Sequence, residues 1–252
     1  MTGNSRQHTC RPSRAWRIAP LAALLLTGCQ KHKAMDEDAQ QTVNQIKGAM
    51  ATGPGAHIEP GADAGPMARL TAVVGNMILA DTNAFSAAST EAGLAQVISL
   101  QGLTTGSPVL DHCDRIDALG PRARALAARY PVYLAAVRAE GGKLVAAGEL
   151  PQAELDGMIQ GMTGQQQAFN RQWTLGGELA NQAGQLCRIL ARRHWTSTAG
   201  GGVQFTDRTD LADAAAVRAR LESAMTEVNA IGADARAKSE GAMHKLDELA
   251  RH

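Results

Sequence analysis

The sequence predicts an all-α fold: a helical bundle of five or six helices that ends in two long ones. Alanine, leucine, methionine and glutamine are abundant, whereas aromatic residues make up only 3% of the 252, so the side chains that favour strands are scarce. Period-two alternation of β-branched residues is nearly absent, and apolar residues recur at spacings of three and four. Gly65-Pro66, Ser107-Pro108, Gly120-Pro121 and Leu150-Pro151 each stand just before such a segment. Proline fits there as the first helical residue, because its missing N–H would go unpaired anyway.

The first helix is expected to begin near Ala34, with Met35, Ala39, Val43, Ile46 and Met50 on one face, and to end before the Gly/Pro-rich loop Gly53 to Gly65. The second starts at Pro66 and follows Leu70, Val73, Met77, Ala80, Ala84 and Ala87, a stripe that Leu94 and Ile98 extend to a break at Thr104-Thr105-Gly106. Val109, Cys113 and Ile116 mark the third. After Gly120-Pro121, the stripe Leu126, Tyr130, Tyr133 and Val137 runs to a stop at Gly141-Gly142, with Pro131 kinking or restarting it.

The segment after Pro151 is the most regular. Leu155, Ile159, Met162, Gln166, Phe169, Trp173, Gly176, Ala180, Ala183, Cys187 and Leu190 recur in steps of four and three, the seam of a helix lying along its neighbours. Gln166 either specifies register or reaches solvent from a helix-end layer. Gly176-Gly177 costs about 1 kcal/mol per glycine relative to alanine, which suits a bend or a close helix approach. Thr196 to Thr206, with Gly200-Gly201-Gly202, is expected to be a linker. It lacks the lysine and the preceding strand that a phosphate-cradling loop requires. Asp210 or Thr209 then caps a last helix running nearly to His252, along Val217, Leu221, Ala224, Val228 and Ile231, then Ala235, Ser239, Ala242, Leu246 and Leu249, with Asp234/Lys238 and Asp247/Arg251 supporting its exposed face.

The N-terminus carries an address. Arg11, Arg14 and Arg17 precede an apolar run from Ile18 to Leu26 that is interrupted by Pro20 and falls short of the ~20 residues a transmembrane helix needs. The run ends in Leu26-Thr27-Gly28-Cys29, which resembles the lipobox of bacterial lipoproteins. That resemblance implies a signal peptide over 1–28, cleavage before Cys29, a diacylglyceryl thioether on Cys29 and an acylated new N-terminus. Residues 29–34 would then be a lipidated tether and 35–252 the helical domain. Two or three acyl chains hold a protein at a membrane essentially permanently. Gln30 after the cysteine, rather than Asp, resembles the enterobacterial pattern of lipoproteins sorted to the outer membrane, most simply facing the periplasm.

Removal of 28 residues from 252 leaves 224, enough for a sizeable core. Four arginines and no acid leave with the signal, so the mature chain carries 21 basic against 24 acidic residues, a net charge of −3. This excludes a phosphate-backbone reader, which concentrates Lys and Arg; the densest cluster here is Arg192-Arg193-His194. Cys10 leaves with the signal and Cys29 is taken by lipid, so Cys113 and Cys187 are the remaining pair in an oxidising compartment. A disulfide is the default expectation, and two buried free thiols are the alternative. A metal site on His112 and Cys113 is disfavoured, since no second His or Cys stands at ligand spacing.

The residues suggest no enzyme. Gly-x-Ser-x-Gly, His-Glu-x-x-His, Cys-x-x-Cys and a dinucleotide fingerprint are all missing, and no cofactor or metal is expected. Asp111, Asp114 and Asp117 form an acidic row that could bind a cation, but such a row is more often a solvated face at a helix start. His194-Trp195 behind Arg192-Arg193 could meet an anionic lipid or glycan surface, yet a basic helix C-terminus needs no such partner. Two function classes remain. One is a membrane-anchored, non-enzymatic protein-interaction module with a periplasmic protein partner: an envelope scaffold, an assembly factor, or an inhibitor or immunity-type lipoprotein. The other is a bundle that holds a small ligand, its pocket lined by Met50, Met67, Met77, Met158, Met162, Met225 and Met243, although methionines more often fill gaps in a core.

Overall fold

The structure, a computed structural model, describes Gly48, residues 57–61, 64–198 and 202–249, with side chains of the last helix described through Asp234 and at Ala237. The signal peptide, Cys29, the tether 29–34 and nearly all of the helix expected from Ala34 to Met50 lie outside the described residues. Within them the chain is an all-α bundle. In chain order the elements are α1 (Pro66–Glu91), α2 (Leu94–Ser99), a 3-10 turn (Pro108–Asp111), α3 (Cys113–Asp117), α4 (Leu119–Ala127), α5 (Tyr130–Ala146) and α6 (Gln152–Ala191). A two-stranded hairpin, β1 (Trp195–Ser197) and β2 (Val203–Phe205), then leads into α7 (Arg208–Leu249).

The core is built around α6, a helix of 40 residues. From Trp173 to Leu190 it is buried on nearly every side, by Leu175, Leu179, Leu186 and Ile189 as well as by the expected seam. A helix buried over most of its circumference belongs in the middle of a domain, and here Glu178 and Arg188 mark the strip that stays exposed. It is flanked by α2, α3, α4, α5 and α7, while α1 packs across α5, α4 and α2. Gly176-Gly177 does not interrupt it. A Cβ on Gly177 would lie 3.2 Å from the Gly120 carbonyl oxygen, and one on Gly120 would run into Asn181. The glycine costs therefore permit the close α4–α6 crossing.

The helix α7 returns antiparallel along α6. Arg171 makes a bidentate pair with Glu227 through Nε at 2.7 Å and a terminal nitrogen at 2.8 Å, and Arg220 Nε donates to Gln182 at 2.9 Å. Val217, Leu221, Ala224 and Val228 are buried and Ile231 half-buried, as the periodicity predicted, and Ala214 extends the stripe by one turn. Met67, Met158 and Met162 are core residues, and Met77 and Met225 pack against the core.

Five local expectations need correction. The buried face of α1 is Leu70, Val74, Ile78 and Phe85, while Val73 is 43% exposed. Alanines at 80, 84 and 87 sit comfortably on either face, so the large side chains decide. The stripe through Leu94 and Ile98 does not continue α1, because Gly93 at φ +70° divides the two helices and Leu100 at φ +59° ends the second before Thr104. Gly141-Gly142 does not stop α5. The stop is Gly148, in the left-handed region at φ +73°, with Gly148 N–H bonded to Val145 O and Glu149 N–H to Leu144 O, a Schellman motif.

The stretch expected as a linker instead carries two paired strands among its described residues, its aromatic and β-branched ends pairing Trp195 with Phe205 and Ser197 with Val203. The cap of α7 is Asp207, whose Oδ1 accepts from the N–H groups of Thr209 and Asp210 at 2.8 and 2.9 Å. That leaves the Asp210 carboxylate for other partners. Elsewhere Pro131 restarts the chain as α5, while Pro121 stands third in α4, where it still displaces no intrahelical N–H bond.

Candidate functional site

Of the polar residues singled out in the sequence, Asp111, Asp117, Arg192, Arg193, His194 and Asp210 converge on one place, the end of α6. Cys187, fully buried there, is joined to Cys113 at the start of α3 by a disulfide, with Cα atoms 5.7 Å apart. The next residue, Arg188, pairs with Asp117 at the other end of α3. Arg193 holds Asp111 of the 3-10 turn at 2.6 Å. Arg192 reaches Asp210 in the first turn of α7 at 2.5 Å, and His194 Nδ1 lies 3.0 Å from the second oxygen of the same carboxylate. His194 must carry its proton on Nδ1 to donate there. Trp195, weighed with His194 as a contact for an outside surface, is buried, and its indole N–H donates to the Leu190 carbonyl at 2.7 Å. The same carbonyl also accepts from the Arg193 N–H at 3.0 Å, so both of its lone pairs are used at the helix end.

Asp210 is the electrostatic centre of this cluster, 2% exposed. Burial alone would push its carboxyl up, but hydrogen bonds and charge from Arg192 and His194 outweigh that and hold it below the usual carboxylate range. The acidic row is thus divided: Asp117 answers Arg188 of α6, Asp111 answers Arg193 just beyond its end, and Asp114 is exposed. The basic run sits at a helix C-terminus, where the macrodipole favours it. Among the described residues no group of three His, Cys, Asp or Glu side chains is placed to hold a metal ion, and Cys113 is committed to the disulfide. Chemically, the arrangement clamps the 3-10 turn, α3 and the start of α7 to one helix end.

A second cluster escaped the sequence reading. Asp81 of α1 accepts from Arg129 Nε at 2.8 Å and from the Tyr133 hydroxyl at 2.5 Å, and the Arg129 guanidinium lies 5.8 Å from the Tyr133 ring centroid. Beneath it Phe85, Tyr130, Tyr133, Phe169 and Trp173 interlock edge-on or tilted, with centroid separations from 5.0 to 6.4 Å. The Tyr130 hydroxyl donates to the Met162 carbonyl. Burial raises both phenols, and for Tyr133 the hydrogen bond to the Asp81 carboxylate adds to it. The signal that could have found Asp81 is its place on the buried face, three residues after Ile78 and four before Phe85, since an acid on such a face requires a partner. The interior also contains polar atoms without a hydrogen-bond partner: Trp173 Nε1, Asn170 Oδ1 and Thr71 Oγ1.

Among the described residues no helix is long and apolar enough to cross a membrane. Gln166, half-buried, lies between the two possibilities weighed for it. Comparison with known proteins found no matching family model, no matching curated protein and no matching solved structure.

Proposed function

We propose that this chain is a membrane-anchored periplasmic lipoprotein whose helical domain is a non-enzymatic protein-interaction module: an envelope scaffold, an assembly factor or an inhibitor of the immunity type. The anchor rests on the lipobox-like Leu26-Thr27-Gly28-Cys29. The observation that carries the interaction reading is the seating of α7, a helix of 42 residues. A narrow stripe from Ala214 to Val228 and the Asp210 clamp dock it on α6, and its other flanks face outward, Leu211 being 52% exposed. A partner helix or groove can use such flanks as amphipathic helices do.

Two experiments test this. Replacing Cys29 by Ser should abolish metabolic labelling with palmitate and leave an unprocessed precursor; normal labelling of the variant would remove the anchor from the account. A photo-crosslinking residue at position 211 should join the mature protein to one discrete envelope protein, whereas the same residue at buried position 217 should not. Equal yields at the two positions would remove the interaction reading.

The ligand-binding alternative has one specific support, the buried and unpartnered Trp173 Nε1 and Asn170 Oδ1, three residues apart on α6. An ordered water satisfies such a pair equally well. Native mass spectrometry of protein purified from its own envelope decides it, since a retained small molecule would move the account to this reading.

A further inference from the structure

The segment that leads into α1 is docked against the bundle. Ile58 is 1% exposed, although His57, Glu59, Pro60 and Gly61 around it are all exposed. One side chain, 18 positions further on, reads its backbone. Asn76 Oδ1 accepts from the Ile58 N–H at 2.7 Å, and Asn76 Nδ2 donates to the Ile58 carbonyl at 2.9 Å. His57 Nε2 stands 3.5 Å from the same amide nitrogen. A turn closed by Ala64 N–H on the Gly61 carbonyl, at 3.0 Å, then takes the chain towards Pro66 and α1.

Asn76 sits within a helix of 26 residues, where asparagine is a poor choice because its amide competes with the helix for backbone partners. Its use is therefore outside the helix. A carboxamide that satisfies both main-chain groups of one residue recognises extended backbone whatever the side chain. A buried aliphatic side chain beside it supplies the selectivity. This is the division of labour in the recognition of extended peptides, where main-chain bonds give affinity and side-chain pockets give specificity. Among the described residues, one buried apolar side chain and the two bonds to Asn76 fasten the arm, so local opening is expected to cost less than unfolding of the bundle.

We propose that Asn76 and the seat of Ile58 form a peptide-binding site occupied by the chain's own residues 57–61. The external ligand is an extended segment of a partner protein that carries an isoleucine or a similar branched aliphatic residue, and it replaces the arm on Asn76. The present occupant defines that chemistry: an exposed residue, a buried aliphatic residue, then exposed chain. The identity of the ligand as protein rests on the interaction-module reading; the site itself rests on Asn76 and Ile58. Because the arm is covalently attached, it competes at an effective concentration of order millimolar, and the site is closed until a ligand outcompetes it.

The test uses the mature chain from Gln30 to His252, isotopically labelled, and a synthetic peptide of the sequence Ala-His-Ile-Glu-Pro-Gly with blocked ends. In the Ile58→Ser variant the Asn76 side-chain amide resonances should shift saturably on titration, about tenfold more tightly than in the unaltered chain, where the arm competes. The same peptide with serine for isoleucine should not bind, nor should the native peptide bind the Ile58→Ser/Asn76→Ala double variant, where the backbone amide of Met77 is the reporter. Absence of a saturable shift, or equal binding with and without Ile58, overturns the proposal. In the unaltered chain the Ile58 amide should exchange with solvent about a hundredfold faster than that of Leu186, through local opening. Exchange as slow as Leu186 overturns it independently of any variant. A concentration-dependent dimer that releases the arm would replace the partner with a second copy of this chain. None of these outcomes bears on crosslinking through α7, so the two readings fail separately.

Discussion

Removing the Cys113–Cys187 disulfide tests how the α6 terminus is fastened. The two cysteines are 74 positions apart in sequence. For a loop of that length the chain-entropy account gives about 4 kcal/mol of stabilisation, through restriction of the unfolded chain. The surrounding ion pairs do not replace it, because Arg188–Asp117 and Arg193–Asp111 are half-exposed pairs that contribute about 0–1 kcal/mol each. The Cys113→Ala/Cys187→Ala variant should therefore lose about 4 kcal/mol, a large share of the ~5–15 kcal/mol that holds a typical domain. For a chain of this size the loss corresponds to a fall in Tm of about 8–16 °C.

Urea unfolding followed both by far-UV circular dichroism and by tryptophan fluorescence measures it. Trp173 and Trp195, each buried in the native fold, report the transition. The dependence of stability on urea should steepen in the variant, since an uncrosslinked unfolded chain exposes more surface. Reduced wild-type protein, which keeps both sulfurs in place, should behave as the variant does. A loss below about 1 kcal/mol would refute the reasoning, because the crosslink would then constrain little that the fold does not already constrain.

Gly120→Ala places a methyl group against Asn181 at the α4–α6 crossing and should cost about 1–3 kcal/mol, whereas Gly142→Ala, in open space on α5, should stabilise by about 0.5–1 kcal/mol; equal effects in chemical denaturation would contradict the close approach. Since the Asp210 carboxyl is held below its unfolded value, its stabilisation is complete above about pH 4 and is lost as the pH falls through its folded value. Asp210→Asn should therefore flatten the acid side of the stability profile and leave its slope near neutrality unchanged, and an identical acid slope in the variant would contradict the pairing. Both tyrosines of the chain, Tyr130 and Tyr133, have raised hydroxyls, so their stabilisation is complete below about pH 10 and falls as the pH rises above it. Tyrosinate absorbance should appear only together with loss of the helical signal, and ionisation of a folded protein near pH 10 would contradict their burial.

How far the sequence disclosed this structure depended on side-chain size. The long helices α6 and α7 were legible because leucine, valine, tryptophan and cysteine mark their seams without ambiguity. The face of α1 was not, because alanines at 80, 84 and 87 offered a stripe equal in period to the true one, displaced by about one position. That displacement concealed Asn76 and Asp81, whose meaning is visible only once Ile78 and Phe85 are placed inside. Most residues of the α6 clamp could be named in advance, though not Arg188, and none of their ion pairings could. Asp111, Asp117 and Asp210 lie 71 to 82 and 18 positions from their arginines, and no local rule relates them. The hairpin was missed because a run of glycines outweighed Trp195, Val203 and Phe205, three strand-favouring residues too few to register as strands.

The measurement that bears most directly on the interaction-module account is truncation of the last helix before Ala235 in the lipidated protein, followed by crosslinking in its native envelope. The described buried stripe of α7 ends before that point, at Val228 and Ile231. The account predicts a truncated domain with unaltered helical signal and Tm that no longer crosslinks to its partner. A well-folded truncation that captures the partner as efficiently as the full chain would contradict it, and so would a truncation that melts lower and aggregates, since α7 would then be completing the core rather than presenting a surface.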